Sequence, residues 1–445
     1  MESKQKKNHV KYLIIGGGIS GCSAAHFLKK KTSDFYLVES KNRLGGVINT
    51  KIIDGYTLEN GPNTILINNE PTINFFKDLG LDKKLILPNK YIKKKYFLHN
   101  KKIVSVPNNL VSLLFTNLIS VTEKLAFFKN IFFFKKNSFE SVKEFFIKNF
   151  GPMFHDNIIE PFLNGIYAGD TSKMSFEYTM PKIYNIYKNY NGFFQYLRNR
   201  KIKSIKNSSL PFTIKGGYSQ IFKRIQAILK NNILINHEVI KIEYDKFYSV
   251  EFSNQKIITC DNLILTINPK LIFKLLNHNV NITKKLYNPI DVLHFGFMKK
   301  YYNSDIKGFG LLSKEIENTS FLGVLFSSDI FSHLAPRKYK LFTVLVGGEK
   351  QANLCEYNKS DLMKKVEDEV KELFKIDKIS FRNHYRWSEA IPKYNNDTIQ
   401  ILKSEFNKLN IKYKNIFITG NFIDGVSVSD CIKKSYNLIK NFKKN

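Results

Sequence analysis

The stretch that decides the fold is YLIIGGGISGCSAAHFL, residues 12–28, in which an apolar run gives way to glycines and then resumes. Residues 11–15 predict a short buried strand, and residues 19–30 predict a helix. The segment FYLVES, residues 35–40, predicts a second buried strand. Together these three pieces predict a βαβ unit with the glycines in its first turn.

The glycines of this turn have the spacing of a dinucleotide-binding site. Gly16, Gly18 and Gly21 form G-x-G-x-x-G directly after the strand and at the start of the helix. The first allows a tight turn, the second lets the backbone approach a pyrophosphate, and the third lets helix and strand pack closely. The first helical turn, with Ile19 and Ser20, then presents its N–H groups to the phosphates.

The end of the second predicted strand carries an acidic residue, Glu39, followed by Ser40. A carboxylate at this place binds the ribose hydroxyls and disfavours the 2′-phosphate of NADP. Arg43, Gly45 and Gly46 come next and resemble the second phosphate loop of flavin amine oxidases, E-x(3)-R-x-G-G. That resemblance implies a cation that reaches the pyrophosphate and glycines that run against a flavin. Without it, Arg43 is read as a solvated turn residue.

The composition sets limits on the class of protein. A chain of 445 residues with 43% hydrophobic residues predicts two or three folded units. The formal net charge of +32 favours an anionic partner, but the lysines are scattered, which also fits drift towards A+T-rich codons. No nucleic-acid-binding motif is visible, so we expect no nucleic acid partner.

The cysteines and the N-terminal segment restrict the site and the location further. Cys22, Cys260, Cys355 and Cys431 lie far apart without a C-x-x-C spacing, so we expect no cysteine-based metal site, no disulfide framework and a reducing compartment. The segment MESKQKKNHVK lacks the apolar core of a secretory signal. The sequence contains no run of about 18 consecutive apolar residues, so it predicts no membrane-spanning helix.

Several longer motifs occur in one order along the chain. Taken together they resemble the protoporphyrinogen oxidases, a family of oxygen-dependent FAD enzymes in the flavin amine oxidase superfamily. The segment EPFLNGIYAGD is the most specific, because general amine oxidases do not share it. The main motifs are DGYTLENGPNTIL (54–66), IIEPFLNGIYAGDTSKMS (158–175), IKGGYSQI (214–221), AIPKYN (390–395) and GNFIDGVSVSDCI (420–432).

The resemblance implies a mixed α/β fold: a Rossmann-like FAD-binding domain of the p-hydroxybenzoate hydroxylase type, a β-rich substrate domain and a helical membrane-binding domain. An ordinary amphipathic helical core is the alternative for the third. The expected domains are 8–87 with 211–288 and 390–445 for FAD, 88–100 with 192–210 and 289–389 for the substrate, and 101–191 for the membrane.

The implied reaction is oxidation of protoporphyrinogen IX to protoporphyrin IX, the penultimate step of haem biosynthesis. It removes six electrons in three two-electron steps, with oxygen as acceptor and hydrogen peroxide as product. Oxidation of coproporphyrinogen III is the close alternative. Another flavin amine oxidase or desaturase, and a non-enzymatic RNA- or membrane-binding protein, are the other hypotheses.

The same alignment implies substrate-contacting residues. Asn63 would accept hydrogen bonds from pyrrole N–H groups, although after Pro62 it also fits a simple turn. Leu312, Leu322 and Phe342 would pack on the pyrrole rings as apolar walls. As isolated apolar residues in strands, these three would otherwise be read as core.

The propionate anchor departs from the family pattern, because lysines stand where an arginine is usual. Lys95 is the closest match, and Lys93 and Lys94 are alternatives. A lysine neutralises a carboxylate but cannot form the bidentate fork of an arginine.

The remaining implied cofactor contacts come from four places in the chain. Gly61, Pro62 and Asn63 would lie beside the flavin, Val239 beside the adenine, and the last glycine motif at the ribityl phosphate and the ring. That motif contributes Gly420, Asn421, Gly425, Val426 and Val428, with Asn421 where wider flavoproteins often carry aspartate.

The expected partners follow from the same resemblance. They are a porphyrinogen substrate, oxygen and an anionic membrane surface, with a homodimer and handover of product to ferrochelatase as further expectations. The expected location is cytoplasmic, at the inner face of the cell membrane.

Overall fold

The computed structural model describes residues 8–442 except 91, 93, 108, 136, 200–210, 281 and 283. A seven-stranded sheet contains the βαβ unit. His9–Ile15 lies between Phe35–Val38 and Ile257–Leu265 and is parallel to both, and Ile416–Ile418 extends the parallel part beside Ile257–Leu265. The other strands of this sheet are Ile233–Leu234, Val239–Tyr244 and Tyr248–Phe252.

The helix of the βαβ unit, Ile19–Lys29, packs on this sheet and on the last helix, Val428–Lys440. Ala24 and Ala25 are fully buried, and their small side chains let the two helices approach closely. Both faces of the sheet are covered by apolar clusters, as expected where parallel strands read as continuous hydrophobic runs.

A second seven-stranded sheet is mostly antiparallel. The helix Lys359–Phe374 covers one face through Leu362, Val366 and Val370, which recur at helical spacing. In spatial order its strands are Phe381–Pro392, Tyr287–Met298, Tyr339–Gly347, Gly323–Leu325, Gly310–Leu312, Lys95–His99 and Lys102–Ser105.

The stretch from 110 to 199 is helical and has its own core of phenylalanines, in which Phe145 stacks on Phe176. None of the helices in the described residues is long and apolar enough to cross a bilayer. The helices are Leu110–Phe115, Val121–Phe132, Val142–Phe150, Pro152–Phe154, the π-helix His155–Ile159, Glu160–Tyr167, Phe176–Thr179, Pro181–Asn189 and Phe193–Asn199.

Shorter elements join these bodies. The remaining strands are Thr50–Ile53, Tyr56–Glu59, Ile65–Leu66, Leu85–Ile86 and Pro211–Ile214. The remaining α-helices are Glu70–Asp78, Ser219–Leu229, Pro269–Leu275, Ser327–Ile330 and Asn396–Lys412. Short 3₁₀ turns occupy Asp82–Lys84, Lys230–Asn232, Lys299–Tyr301, Glu315–Glu317, Ser332–Leu334 and Ala352–Glu356.

The mixed α/β architecture predicted from the sequence is confirmed. The hairpin Lys95–Ser105 adds two strands to the second sheet. The hairpin turn at Asn100 and Lys101 has positive φ at both residues, so two polar residues take a conformation that glycine usually supplies. The division into three domains at the stated boundaries stays a prediction.

Candidate functional site

A cavity of about 500 Å³ opens at the carboxyl ends of the parallel strands in the first sheet. Gly16, Glu39, Thr266 and Gly420 each follow one of these strands and line it. Open α/β sheets bind their ligands at this edge, and the volume is that of a cofactor site.

The glycine turn leaves space that the chain itself does not fill. Gly18 has an ordinary backbone conformation, with φ −71°, yet a Cβ atom built there meets no atom within 4 Å. A Cβ atom on Gly21 would lie 1.9 Å from the carbonyl oxygen of Gly16, because helix and turn are in direct contact. Gly21 therefore serves packing, whereas Gly18 borders an open cradle at the N-terminus of a helix.

The carboxylate of Glu39 is buried in the cavity wall and held by backbone donors. Its Oε2 accepts a hydrogen bond from the N–H of Gly17 at 2.7 Å, and its Oε1 accepts one from the N–H of Lys41 at 2.9 Å. Two fixed donors orient both oxygens, so a further polar group in the cavity meets an acceptor of defined direction.

Arg43 closes its own loop and does not line the cavity. Its Nη2 donates to the carbonyl oxygen of Gly46 at 2.9 Å, and its Nη1 donates to those of Leu44 and Ile48 at 3.3 Å. Gly45 and Gly46 do line the cavity. The guanidinium thus shapes the loop that faces the cavity, and its expected approach to a phosphate stays a prediction.

The last glycine motif forms the opposite wall. The Ser427 side chain accepts from the N–H of Asp430, and this capping box starts the helix Val428–Lys440 at the cavity. Gly425 lies just behind, where its N–H donates to the hydroxyl of Tyr394 at 2.9 Å. The Nζ atom of Lys434 donates to three backbone carbonyls of the same loop.

The cavity gathers most of the sequence-predicted cofactor residues. The predicted residues absent from its wall lie in adjoining turns: Gly21, Arg43, Gly61, Asn63 and Gly425. The predicted residues that line it are Gly16, Gly18, Ile19, Ser20, Glu39, Ser40, Gly45, Gly46, Pro62, Val239, Gly420, Asn421, Val426 and Val428.

Asn63 borders a separate, small cavity together with Glu59, Leu341 and Thr343. Its Nδ2 donates to the carbonyl oxygen of Gly61 at 3.2 Å. Burial raises the pKa of Glu59 to about 8. The hydrogen bond that its carboxyl accepts from the N–H of Tyr218 lowers the pKa, but by less. An amide and a buried carboxyl thus lie at one small cavity between the strand Tyr56–Glu59 and the second sheet.

The other predicted substrate residues lie outside both cavities. Leu312 contacts helix Glu160–Tyr167, since a Cβ atom on Gly165 would lie 2.7 Å from its Cδ2. Leu322 packs in an apolar cluster with Leu345 and Trp387. Lys95 is exposed, with its Nζ 5.6 Å from the ring centroid of Phe309.

Phe342 lines neither of these two cavities, and its expected packing on the substrate stays a prediction. It is fully buried under the second sheet, where it stacks on Phe326 at 4.7 Å and contacts Phe374 at 5.3 Å between ring centroids. Its neighbours Leu341 and Thr343 line the small cavity instead. Because side chains alternate along a strand, a shift of one residue reverses the face.

Two parts of the cavity wall were missed from the sequence. One is the irregular stretch Trp387–Ala390, where the pairing register with the strand Tyr287–Met298 shifts. The indole N–H of Trp387 donates to the backbone oxygen of Asn60 at 2.5 Å. The other is Thr266–Asn268. The sequence could have predicted it, because these residues directly follow the buried strand segment NLIL.

The histidines have structural partners rather than a common site. His155 hydrogen-bonds Thr171 at 3.0 Å, and His384 lies 3.2 Å from the carboxylate of Asp291. Burial lowers the pKa of His294 to about 4. In the part of the chain that the structure describes, no three histidine, cysteine or acidic side chains group as metal ligands.

The cradle at Gly18, the oriented carboxylate of Glu39 and the helix N-terminus at Val428 fit a dinucleotide such as FAD. The family described as flavin containing amine oxidoreductase matches residues 19–437. Protoporphyrinogen oxidase 2 of Arabidopsis thaliana is 27% identical over 94% of this chain and 91% of its own length. Coproporphyrinogen III oxidase of Bacillus subtilis (strain 168) is 25% identical over 96% of both chains.

Solved structures share the fold. An Exiguobacterium sp. 255-15 protein, provisionally named protoporphyrinogen oxidase, superposes with a TM-score of 0.82 at 20% identity, over 97% of this chain and 98% of its own. Cyclohexylamine oxidase from Brevibacterium oxydans IH-35A superposes with a TM-score of 0.67 at 15% identity, over 97% and 99%. The chain therefore belongs to the flavin-containing amine oxidoreductases and is an FAD-dependent oxidoreductase.

Proposed function

We propose that this enzyme oxidises protoporphyrinogen IX to protoporphyrin IX in haem biosynthesis, with FAD as cofactor and oxygen as electron acceptor. The observation that carries the proposal is the extent of the similarity. Relatives named for porphyrinogen oxidation align over 94–96% of the chain, and so include the second sheet and the helical region as well as the nucleotide-binding part.

In this proposal the first cavity binds and orients the cofactor, which supplies the two-electron chemistry when bound. Gly18 leaves room for the pyrophosphate, and Glu39 accepts hydrogen bonds from the ribose. The capped helix that begins at Val428 directs its N–H groups at the opposite end of the cofactor. Arg43 contributes by fixing the loop that carries Gly45 and Gly46.

The substrate would lie between the second sheet and helix Glu160–Tyr167, where apolar side chains exclude water. Leu312 and Leu322 are partly exposed there, as walls for a flat ligand require. The Asn63 amide would accept from pyrrole N–H groups. Lys95, exposed on the strand next to the edge of the same sheet, would pair with a propionate; Lys94 is also exposed, and Lys93 lies outside the described residues.

Coproporphyrinogen III is the second candidate substrate, favoured by two observations. The Bacillus subtilis relative of that name covers this chain as fully as the plant relatives do. The hairpin that carries Lys95 also exposes Lys94, Lys101 and Lys102, a supply of cations suited to a substrate with more carboxylates.

Turnover of both porphyrinogens tests the proposal. Porphyrin fluorescence should rise when the flavin-loaded enzyme meets protoporphyrinogen IX in air, and should not rise without oxygen, because one bound FAD accepts only two of the six electrons that must be removed. Faster oxidation of coproporphyrinogen III than of protoporphyrinogen IX would make coproporphyrinogen III the proposed substrate. No enzyme-dependent porphyrin from either compound would refute both.

We also propose that the helical region binds an anionic membrane surface from the cytoplasmic side. It exposes large apolar side chains on neighbouring helices, with Lys129 and Lys135 exposed beside them. Such a face suits burial at the boundary of head groups and acyl chains. The exposed apolar residues are Val111, Leu114, Phe115, Val121, Leu125, Phe132, Phe133, Phe194 and Leu197.

Replacing Phe115, Val121 and Leu125 together by serine should weaken binding to anionic vesicles by at least about 10-fold, since each removed side chain loses roughly 1 kcal/mol or more of burial. These side chains are 67–82% exposed, so the fold should be unaffected. Cosedimentation with vesicles measures the effect. The matched control is Ile411→Ser, at an equally exposed site on helix Asn396–Lys412. Equal binding of the triple variant and wild type would contradict the proposal.

Three further expectations stay predictions. They are the homodimer, the handover of porphyrin to ferrochelatase and the boundaries of the three domains. Cross-linking and size measurement of the purified holoenzyme would decide the first.

A further inference from the structure

Lys434 lies behind the cofactor cavity. Among the described residues it forms no ion pair with a carboxylate. Lys434, on helix Val428–Lys440, is largely buried, and its Nζ donates to the backbone oxygens of Gly420, Ile423 and Gly425, the last at 2.9 Å. Three acceptors use all three N–H bonds of an ammonium group, whereas a neutral amine offers only two. Three acceptors therefore match the charged form, while burial lowers the pKa of the Lys434 ammonium.

The three carbonyls belong to a loop that forms the cavity wall. Gly420, Asn421 and Phe422 line the cavity, as does Val426 at the end of the loop. A carbonyl and the N–H of the following residue point in opposite directions in a trans peptide, so the peptide groups held by Lys434 direct the N–H groups of Asn421 and Val426 away from the ammonium. In the described parts of the chain, no acceptor takes these two N–H groups, and both residues line the cavity. These donors are available to a ligand in the cavity.

The helix that carries Lys434 also fixes the other side of the site. Ser435, the next residue, donates through Oγ to the backbone oxygen of Ser20 at 2.8 Å. Cys431, one turn earlier, lies in the cavity wall. One helix thus links the early glycine turn to the last loop, and Lys434 is its charged contact with that loop.

We propose that Lys434 is a positioning residue for FAD. It locks the 420–425 loop with its donors towards the cofactor, and it leaves a fixed positive charge behind the wall that favours electron uptake by the bound cofactor. The proposal concerns the FAD site and is tested without substrate, so it stands or falls independently of the porphyrinogen proposal.

The test compares Lys434→Met with Lys433→Met, a change at the exposed neighbour on the same helix. Two properties of the purified holoenzyme are measured: the rate of FAD release on dilution and the midpoint potential of the bound flavin. Lys434→Met should release FAD roughly 10-fold faster or more, because the loop loses at least one charged hydrogen bond. Its potential should also become more negative, which a role in folding alone would not produce. Lys433→Met should match wild type.

A conservative variant separates charge from hydrogen bonding. Lys434→Gln keeps donors but no charge, so it should shift the potential in the same direction as Lys434→Met. If Lys434→Met does not fold, the same measurements on Lys434→Gln decide. Wild-type FAD release and wild-type potential in a folded Lys434 variant would overturn the inference.

Discussion

Gly18→Val should abolish stable FAD binding while the apoprotein still folds. The Gly18 backbone suits any L-residue, and a Cβ atom built there meets no protein atom within 4 Å. A valine side chain would therefore extend into the cradle and occupy space that a ligand needs. We expect the affinity for FAD to fall by at least about 100-fold, equivalent to roughly 2.7 kcal/mol. Loss of the glycine from the helix N-cap should cost about 1 kcal/mol of folding free energy or less.

Flavin titration of the apoprotein and thermal unfolding measure the two quantities. The matched comparison is Gly21→Val, which should lower stability first, because its Cβ atom would lie 1.9 Å from the carbonyl oxygen of Gly16. Undiminished FAD affinity in Gly18→Val would show that the cofactor does not lie against this turn. It would remove the main structural support for the assigned cavity.

Trp387→Ala should cause the largest loss of turnover in the flavin-loaded enzyme. Trp387 lines the cofactor cavity and packs in the same apolar cluster as Leu322 and Leu345, so it lies between the cofactor and the proposed substrate walls. Truncation opens a void and leaves the backbone oxygen of Asn60 without its donor. Because a misplacement of the reacting groups by about 1 Å can cost roughly 100-fold in rate, we expect kcat/KM to fall by about 100-fold.

Trp387→Phe should lose much less, because a ring still fills the wall. Rates are compared at equal flavin content, so that loss of FAD is not counted as loss of turnover. Since Trp387 is the only tryptophan of the chain, its fluorescence should also be quenched when FAD binds. Full kcat/KM in Trp387→Ala would contradict a place for this residue between cofactor and substrate.

The sequence was sufficient to predict the βαβ unit and most of the cofactor cavity, because these depend on local constraints. The glycine spacing, the carboxylate at Glu39 and the strand–turn–helix at the end of the chain each need particular residue types within a few positions. Such patterns are readable without knowledge of distant contacts.

The parts that could not be predicted depend on register and on long-range neighbours. Whether Phe342 or Leu341 faces the cavity depends on a single-residue register in the strand. Trp387 reaches the cavity only because the pairing shifts beside it, a feature with no clear sequence pattern. Arg43 was expected at a phosphate, but three nearby carbonyls take its donors. Lys434 would be read as a surface lysine until its loop is seen.

The order of strands in the first sheet also bears on how the enzyme is made. Leu13 pairs with Leu263, 250 residues later, and Leu263 pairs with Ile416 on its other side. At about 5–20 residues per second, the ribosome needs roughly 12–50 s to deliver the first of these partners. For that time the nascent strand 9–15 can pair only with Phe35–Val38, and its other edge stays open, which makes that edge a candidate for chaperone protection. The FAD cavity is complete only once residues 420–431, which form part of its wall, have been made.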